Sequence, residues 1–63
     1  MPRRIVLTEA MSHPPRWTGT VEWYDGKRIK IAAVVQECEP FEDMREFLHR
    51  LLDLDCPQGA LFD

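Results

Sequence analysis

Apart from Gly19, apolar residues recur at every second position from Trp17 to Trp23 and, after a turn, from Ile29 to Val35, and at every third or fourth from Phe41 to Leu52. The first period belongs to a strand with one buried face, the second to a helix with a buried stripe. A chain that changes period once, in this order, has few ways to bury both apolar sides. The direct one is a sheet with a helix laid across it. The 63 residues allow a single domain, 1–63, with a thin stability margin. Apolar residues make up 44% and charged residues 30%, which places the chain with globular rather than disordered sequences.

The strand region divides at Asp25-Gly26, a turn signal. Trp17, Gly19, Val21 and Trp23 alternate with Thr18, Thr20, Glu22 and Tyr24; after the turn, Lys27, Ile29, Ile31, Ala33 and Val35 alternate with Arg28, Lys30, Ala32 and Val34. A two-residue turn would set Val21 against Lys30. A three-residue loop, Tyr24-Asp25-Gly26 with glycine in the left-handed position, pairs Trp23 with Lys27, Val21 with Ile29 and Gly19 with Ile31, and is the expected register. It leaves Ala32 and Val34 on the polar face, where an apolar strip reads as an interface. Ile5-Val6-Leu7 supplies a first strand over 3–8, and the segment 9–16, with Pro14-Pro15, reads as an exposed loop.

Glu39-Pro40-Phe41 is the expected helix start, with Pro40 at the first helical position. Asp55-Cys56-Pro57-Gln58-Gly59 ends it, and Ala60-Leu61-Phe62 forms an apolar tail. The fold class is α+β: a small two-layer domain, an antiparallel hairpin or three strands, with one amphipathic helix on one face. Its expected core is Val21, Trp23, Ile29, Ile31, Phe41, Met44, Phe47, Leu48, Leu51 and Leu52.

Charge is divided along the chain. Residues 1–36 carry six Lys and Arg against three Asp and Glu, and residues 37–63 carry two against eight, so the halves bear +3 and −6. The acidic half places Glu42, Glu46, His49 and Asp53 along one strip of the expected helix, with Glu37, Glu39, Asp43 and Asp55 around it. Part of this is ordinary solvated helix surface, with Glu46–Arg50 and Glu42–Arg45 spaced for ion pairs. Two glutamates four residues apart repel, however, and regularly spaced carboxylates imitate a run of phosphates. Glu37, Glu39, Glu42, Asp43, Glu46, Asp53 and Asp55 are therefore the candidate contacts to a basic protein, one that handles nucleic acid. The alternative site is the hairpin, where Lys27, Arg28 and Lys30 lie among Trp17, Trp23 and Tyr24 and could hold single-stranded nucleic acid.

Other chemistries lack support. Cys38 and Cys56 are too few for a disulfide framework, and with His13 and His49 they show no chelating spacing, so neither metal nor cofactor is expected. Ser12-His13 has no third member and no oxyanion loop, and the glycines are isolated, so no enzyme is expected. No apolar run suits a signal peptide or a membrane span, and the expected compartment is the cytoplasm. A homodimer through Ala32, Val34 and the C-terminal tail is a further expectation.

In size, compactness and acidic helix face the chain resembles the small inhibitors encoded by bacteriophages, among them anti-CRISPR proteins and inhibitors of host polymerase. Bacterial antitoxins and immunity proteins share the outline. The resemblance is one of type over the whole chain, with no common motif. It implies a non-enzymatic protein that occludes a host surface, in some cases by imitating nucleic-acid charge.

Overall fold

The structure, a computed structural model, describes residues 2–57. Three strands, β1 (Arg3–Ala10), β2 (Arg16–Tyr24) and β3 (Lys30–Glu37), form one antiparallel sheet in the order β1-β2-β3, followed by a single helix, α1 (Met44–Leu52). The fold is the expected α+β arrangement in its three-stranded form. The tail at 60–62, expected to add an edge strand or cover the helix end, lies outside the described residues. Among the described residues no helix is long and apolar enough to cross a membrane.

β1 runs two residues further than expected, because Glu9 and Ala10 pair with Trp17 and Arg16. Between β1 and β2, irregular chain is confined to 11–15, where the Ser12 N–H donates to the Ala10 carbonyl and the Ser12 hydroxyl to the Pro14 carbonyl.

The β2–β3 register corrects the expectation. Trp23 lies opposite Ala32, Val21 opposite Val34 and Tyr24 opposite Lys30, with an irregularity between Trp23 and Tyr24. The cause is local. The Asp25 carboxylate accepts the N–H groups of Lys27 (2.7 Å) and Ile29 (3.0 Å), and the Arg28 N–H reaches the Asp25 carbonyl (3.1 Å). These bonds wind the connection through Ile29, with Arg28 at φ 64°. Ala32 and Val34 therefore face the helix rather than the opposite side, and the small Ala32 leaves room for Trp23. Ile29, expected in the core, is 58% exposed. The proposed apolar strip of Ala32 and Val34 is thus part of the core surround, not a free surface.

The helix also begins later than expected. Glu39–Glu42 closes a turn by the Glu42 N–H to Glu39 carbonyl bond (3.1 Å), with Pro40 at its second position, a favoured place for proline. Asp43 then caps the helix, its carboxylate accepting the Glu46 N–H at 2.8 Å. Phe41, displaced into the turn, is fully exposed, and Leu52 is half-exposed, so neither joins the core. The buried core residues are Val21, Trp23, Phe47 and Leu51, with Ile5, Leu7, Trp17, Ile31, Ala32, Val34, Cys38 and Met44 packed around them.

Candidate functional site

The helix carries less acid than its sequence implies. Within Met44–Leu52, Glu46 is the one carboxylate, against Arg45 and Arg50. Glu42 lies before the helix, and its carboxylate is held by Arg50: Nε donates to Oε2 at 3.0 Å and Nη2 to Oε1 at 2.9 Å. Arg50 also donates to Gln36 Oε1 (2.9 Å) and to the Glu37 carbonyl (2.7 Å), and its guanidinium lies 5.1 Å from the centre of the Phe47 ring. One arginine thus ties the helix to the end of β3 and to the 39–42 turn. This bidentate pair, with the Glu39 N–H donating to Oε1, lowers the Glu42 pKa to about 2. The expected pairs Glu46–Arg50 and Glu42–Arg45 give way to this one.

The expected strip therefore comes apart. Glu42 is neutralised within the chain, and Asp43 is occupied as a cap. Glu46 and Asp53 share one helix flank, about 20° apart at 100° per residue. They are exposed, as are Asp43, Asp55, Glu37 and Glu39.

Around Glu37 and Glu39 the structure gathers more than charge. The start of β2 and the end of β3 are joined by the Cys38 N–H to Trp17 carbonyl bond (2.9 Å). Beyond this bond opens a cleft of about 480 Å³, walled on one side by Pro14, Pro15, Arg16 and Trp17 and on the other by Glu37, Cys38, Glu39, Pro40 and Glu42. The two connections that border it each carry a fully exposed large apolar side chain, Met11 in the 11–15 loop and Phe41 in the 39–42 turn. Cys38 donates its thiol to the Glu42 carbonyl (3.4 Å), and burial, followed by the Glu42 charge, pushes its pKa up. A thiol held in this way is a poor nucleophile.

The opposite end of the sheet is basic. The β1 start brings Arg3 and Arg4 beside the end of β2, and the β2–β3 connection adds Lys27, Arg28 and Lys30. Glu22 lies among them on the face away from the helix. It accepts the Tyr24 hydroxyl (2.8 Å) and Lys30 Nζ (3.4 Å), with Arg4 Nε at 3.8 Å. The Tyr24 bond first, then Lys30 and Arg4, lower the Glu22 pKa, while the same bond raises that of Tyr24. The aromatic platform expected here is not formed: Trp23 is buried, Trp17 lies at the other end packed on the core, and the Tyr24 hydroxyl is engaged. Among the described residues no three His, Cys, Asp or Glu side chains gather to hold a metal ion, and both cysteines are free thiols.

Sequence reasoning missed Arg50 as the organising cation, Trp17 as a wall of the cleft, and the exposure of Met11 and Phe41. The Asp43-x-x-Glu46 spacing, a capping pattern, would have moved the helix start and exposed Phe41. Nothing in the sequence marks the approach of Gln36 to Arg50, fourteen residues later. Comparison with protein-family models, with curated proteins and with solved structures finds no match for the chain.

Proposed function

We propose that this protein is a non-enzymatic inhibitor or regulator that docks on a basic protein surface, one belonging to a nucleic-acid-handling complex, through the cleft between the 11–15 loop and the 39–42 turn. One observation carries this reading: a cleft walled by Pro14, Pro15, Trp17 and Pro40 is bordered by Glu37 and Glu39, whose exposed carboxylates have no partner among the described residues, and the two connections that form its walls carry the fully exposed Met11 and Phe41. Large apolar side chains held in solvent are costly unless covered, and anchors of this kind within a charged rim are what interfaces use. The apolar pair supplies residence time, and the carboxylates supply orientation and rate of encounter. Asp43, Glu46, Asp53 and Asp55 extend the negative field without forming the contact itself. The reading places the protein in the cytoplasm, where Cys38 and Cys56 stay reduced.

The test is titration with Lys- and Arg-rich peptides, followed by the Trp17 indole N–H resonance. Saturable shifts at Trp17, lost in Phe41→Ala and in Glu37→Lys/Glu39→Lys, support the reading; an unmoved indole counts against it. A second reading rests on the five cations Arg3, Arg4, Lys27, Arg28 and Lys30 at the other end of the sheet. It calls for salt-sensitive binding of single-stranded DNA or RNA that weakens when Lys27, Arg28 and Lys30 are replaced by alanine. A blank gel shift at low salt removes it.

A further inference from the structure

β1 is an edge strand, and its sequence is complementary to itself. The Tyr24 N–H donates to the Pro2 carbonyl (3.0 Å), and the β1–β2 pairing then runs without a shift to Ala10. Antiparallel pairs alternate between bonded and non-bonded. Pro2, Arg4, Val6 and Thr8 therefore turn their backbone groups toward β2, and Arg3, Ile5, Leu7 and Glu9 turn theirs to the open edge. Among the described residues none of these outward groups has a partner within the chain. β1 has no bulge and no internal proline, two of the usual guards of an exposed edge, and its edge-facing charges, Arg3 and Glu9, are of opposite sign.

The other edge is guarded. The Cys38 N–H to Trp17 carbonyl bond fixes the alternation at the end of β3 and turns the Glu37 carbonyl outward, where Arg50 Nη2 binds it at 2.7 Å. A charged side chain seated on an edge carbonyl blocks strand addition there.

We infer that a second copy of this chain pairs with β1, antiparallel about a two-fold axis at Val6, to make a continuous six-stranded sheet with both helices on one side. In this register Arg3 lies opposite Glu9 of the second copy and Ile5 opposite Leu7, with their symmetry mates. All four are residues whose backbone groups point outward, so four pairs exchange two bonds each. Side chains opposite one another share a face, so both Arg–Glu pairs and both Ile–Leu pairs meet on the helix side, while Val6 meets Val6 and Arg4 meets Thr8 on the other. A slip of two residues breaks this match in either direction: it sets Ile5 against Glu9, or Arg3 against Leu7. The Arg3 guanidinium is already drawn to the helix side by its bond to the Leu52 carbonyl (2.9 Å), the side on which Glu9 lies.

Sedimentation equilibrium across a concentration series, combined with amide hydrogen exchange, tests the arrangement. The expected result is a monomer–dimer equilibrium in which the Ile5 and Leu7 amides gain protection as the dimer forms. Glu9→Arg, at an exposed position, weakens the dimer about tenfold by setting like charges opposite one another; Arg3→Glu/Glu9→Arg restores it. A chain that stays monomeric at millimolar concentration overturns the inference. So does a dimer whose Ile5 and Leu7 amides exchange freely, or one that the double swap fails to restore.

Discussion

A Cβ atom built on Gly19 would stand 2.5 Å from Leu51 Cδ1 and 3.0 Å from Phe47 Cζ. The middle of β2 is therefore bare backbone at the place where the two fully enclosed helix residues press on the sheet. Gly19→Ala forces Leu51 and Phe47 outward and destabilises the fold by about 1–3 kcal/mol, read as a lower urea midpoint with an unchanged slope. Trimming Leu51 to valine in the same chain recovers part of the loss.

Phe41 and Phe47 separate the proposed docking from stability. Phe47 is wholly buried, and Phe47→Ala costs about 3–5 kcal/mol, enough to unfold much of a domain this small. Phe41 is fully exposed, and Phe41→Ala leaves the thermal midpoint unchanged; under the proposed function it weakens binding of Lys- and Arg-rich peptides. Circular dichroism melts of the two variants check the contrast.

Acid should loosen the molecule through Glu42. Its folded pKa of about 2 lies below the ordinary value of 4.5, so the folded state favours the ionised form. The resulting stabilisation is complete above pH 4.5 and is lost as pH falls from there toward 2. Glu22, shifted in the same direction by Tyr24, Lys30 and Arg4, contributes with the same sign. Stability measured from pH 6 to pH 2 falls less steeply in Glu42→Gln and in Arg50→Ala than in the parent, because neither variant has a bidentate pair to lose.

Asp43→Ala removes the side-chain acceptor from the Glu46 N–H and costs about 1 kcal/mol. Asp43→Asn and Asp43→Ser retain most of it. If Glu39-Pro40-Phe41 were the true helix start, the alanine variant would be neutral, so chemical denaturation of this series locates the helix terminus.

Arg28 holds φ at 64°, a left-handed conformation that suits glycine. Arg28→Gly relieves strain and raises stability by up to about 1 kcal/mol, whereas Arg28→Val, branched at Cβ, lowers it. If the basic end binds nucleic acid, the glycine variant should gain stability and lose affinity together.

The two periods were enough to foresee the layers. Alternation from Trp17 to Tyr24 made a strand with one buried face, and Phe47 and Leu51, four apart, made a helix stripe; local stereochemistry sets both, and neither needs a partner to be read. Where an element begins, and what it lies opposite, was decided elsewhere. The Asp25 carboxylate wound the β2–β3 connection through Ile29, shifting every residue of β3 relative to β2 and turning Ala32 and Val34 inward. Arg50 drew Glu42 out of the acidic strip, although Glu46 stands closer along the chain. These outcomes depend on contacts between residues distant in sequence, or on a turn's competition for its own amides. A pattern of residue types records which faces are apolar; it does not record which polar group reaches a given cation first once the layers have closed.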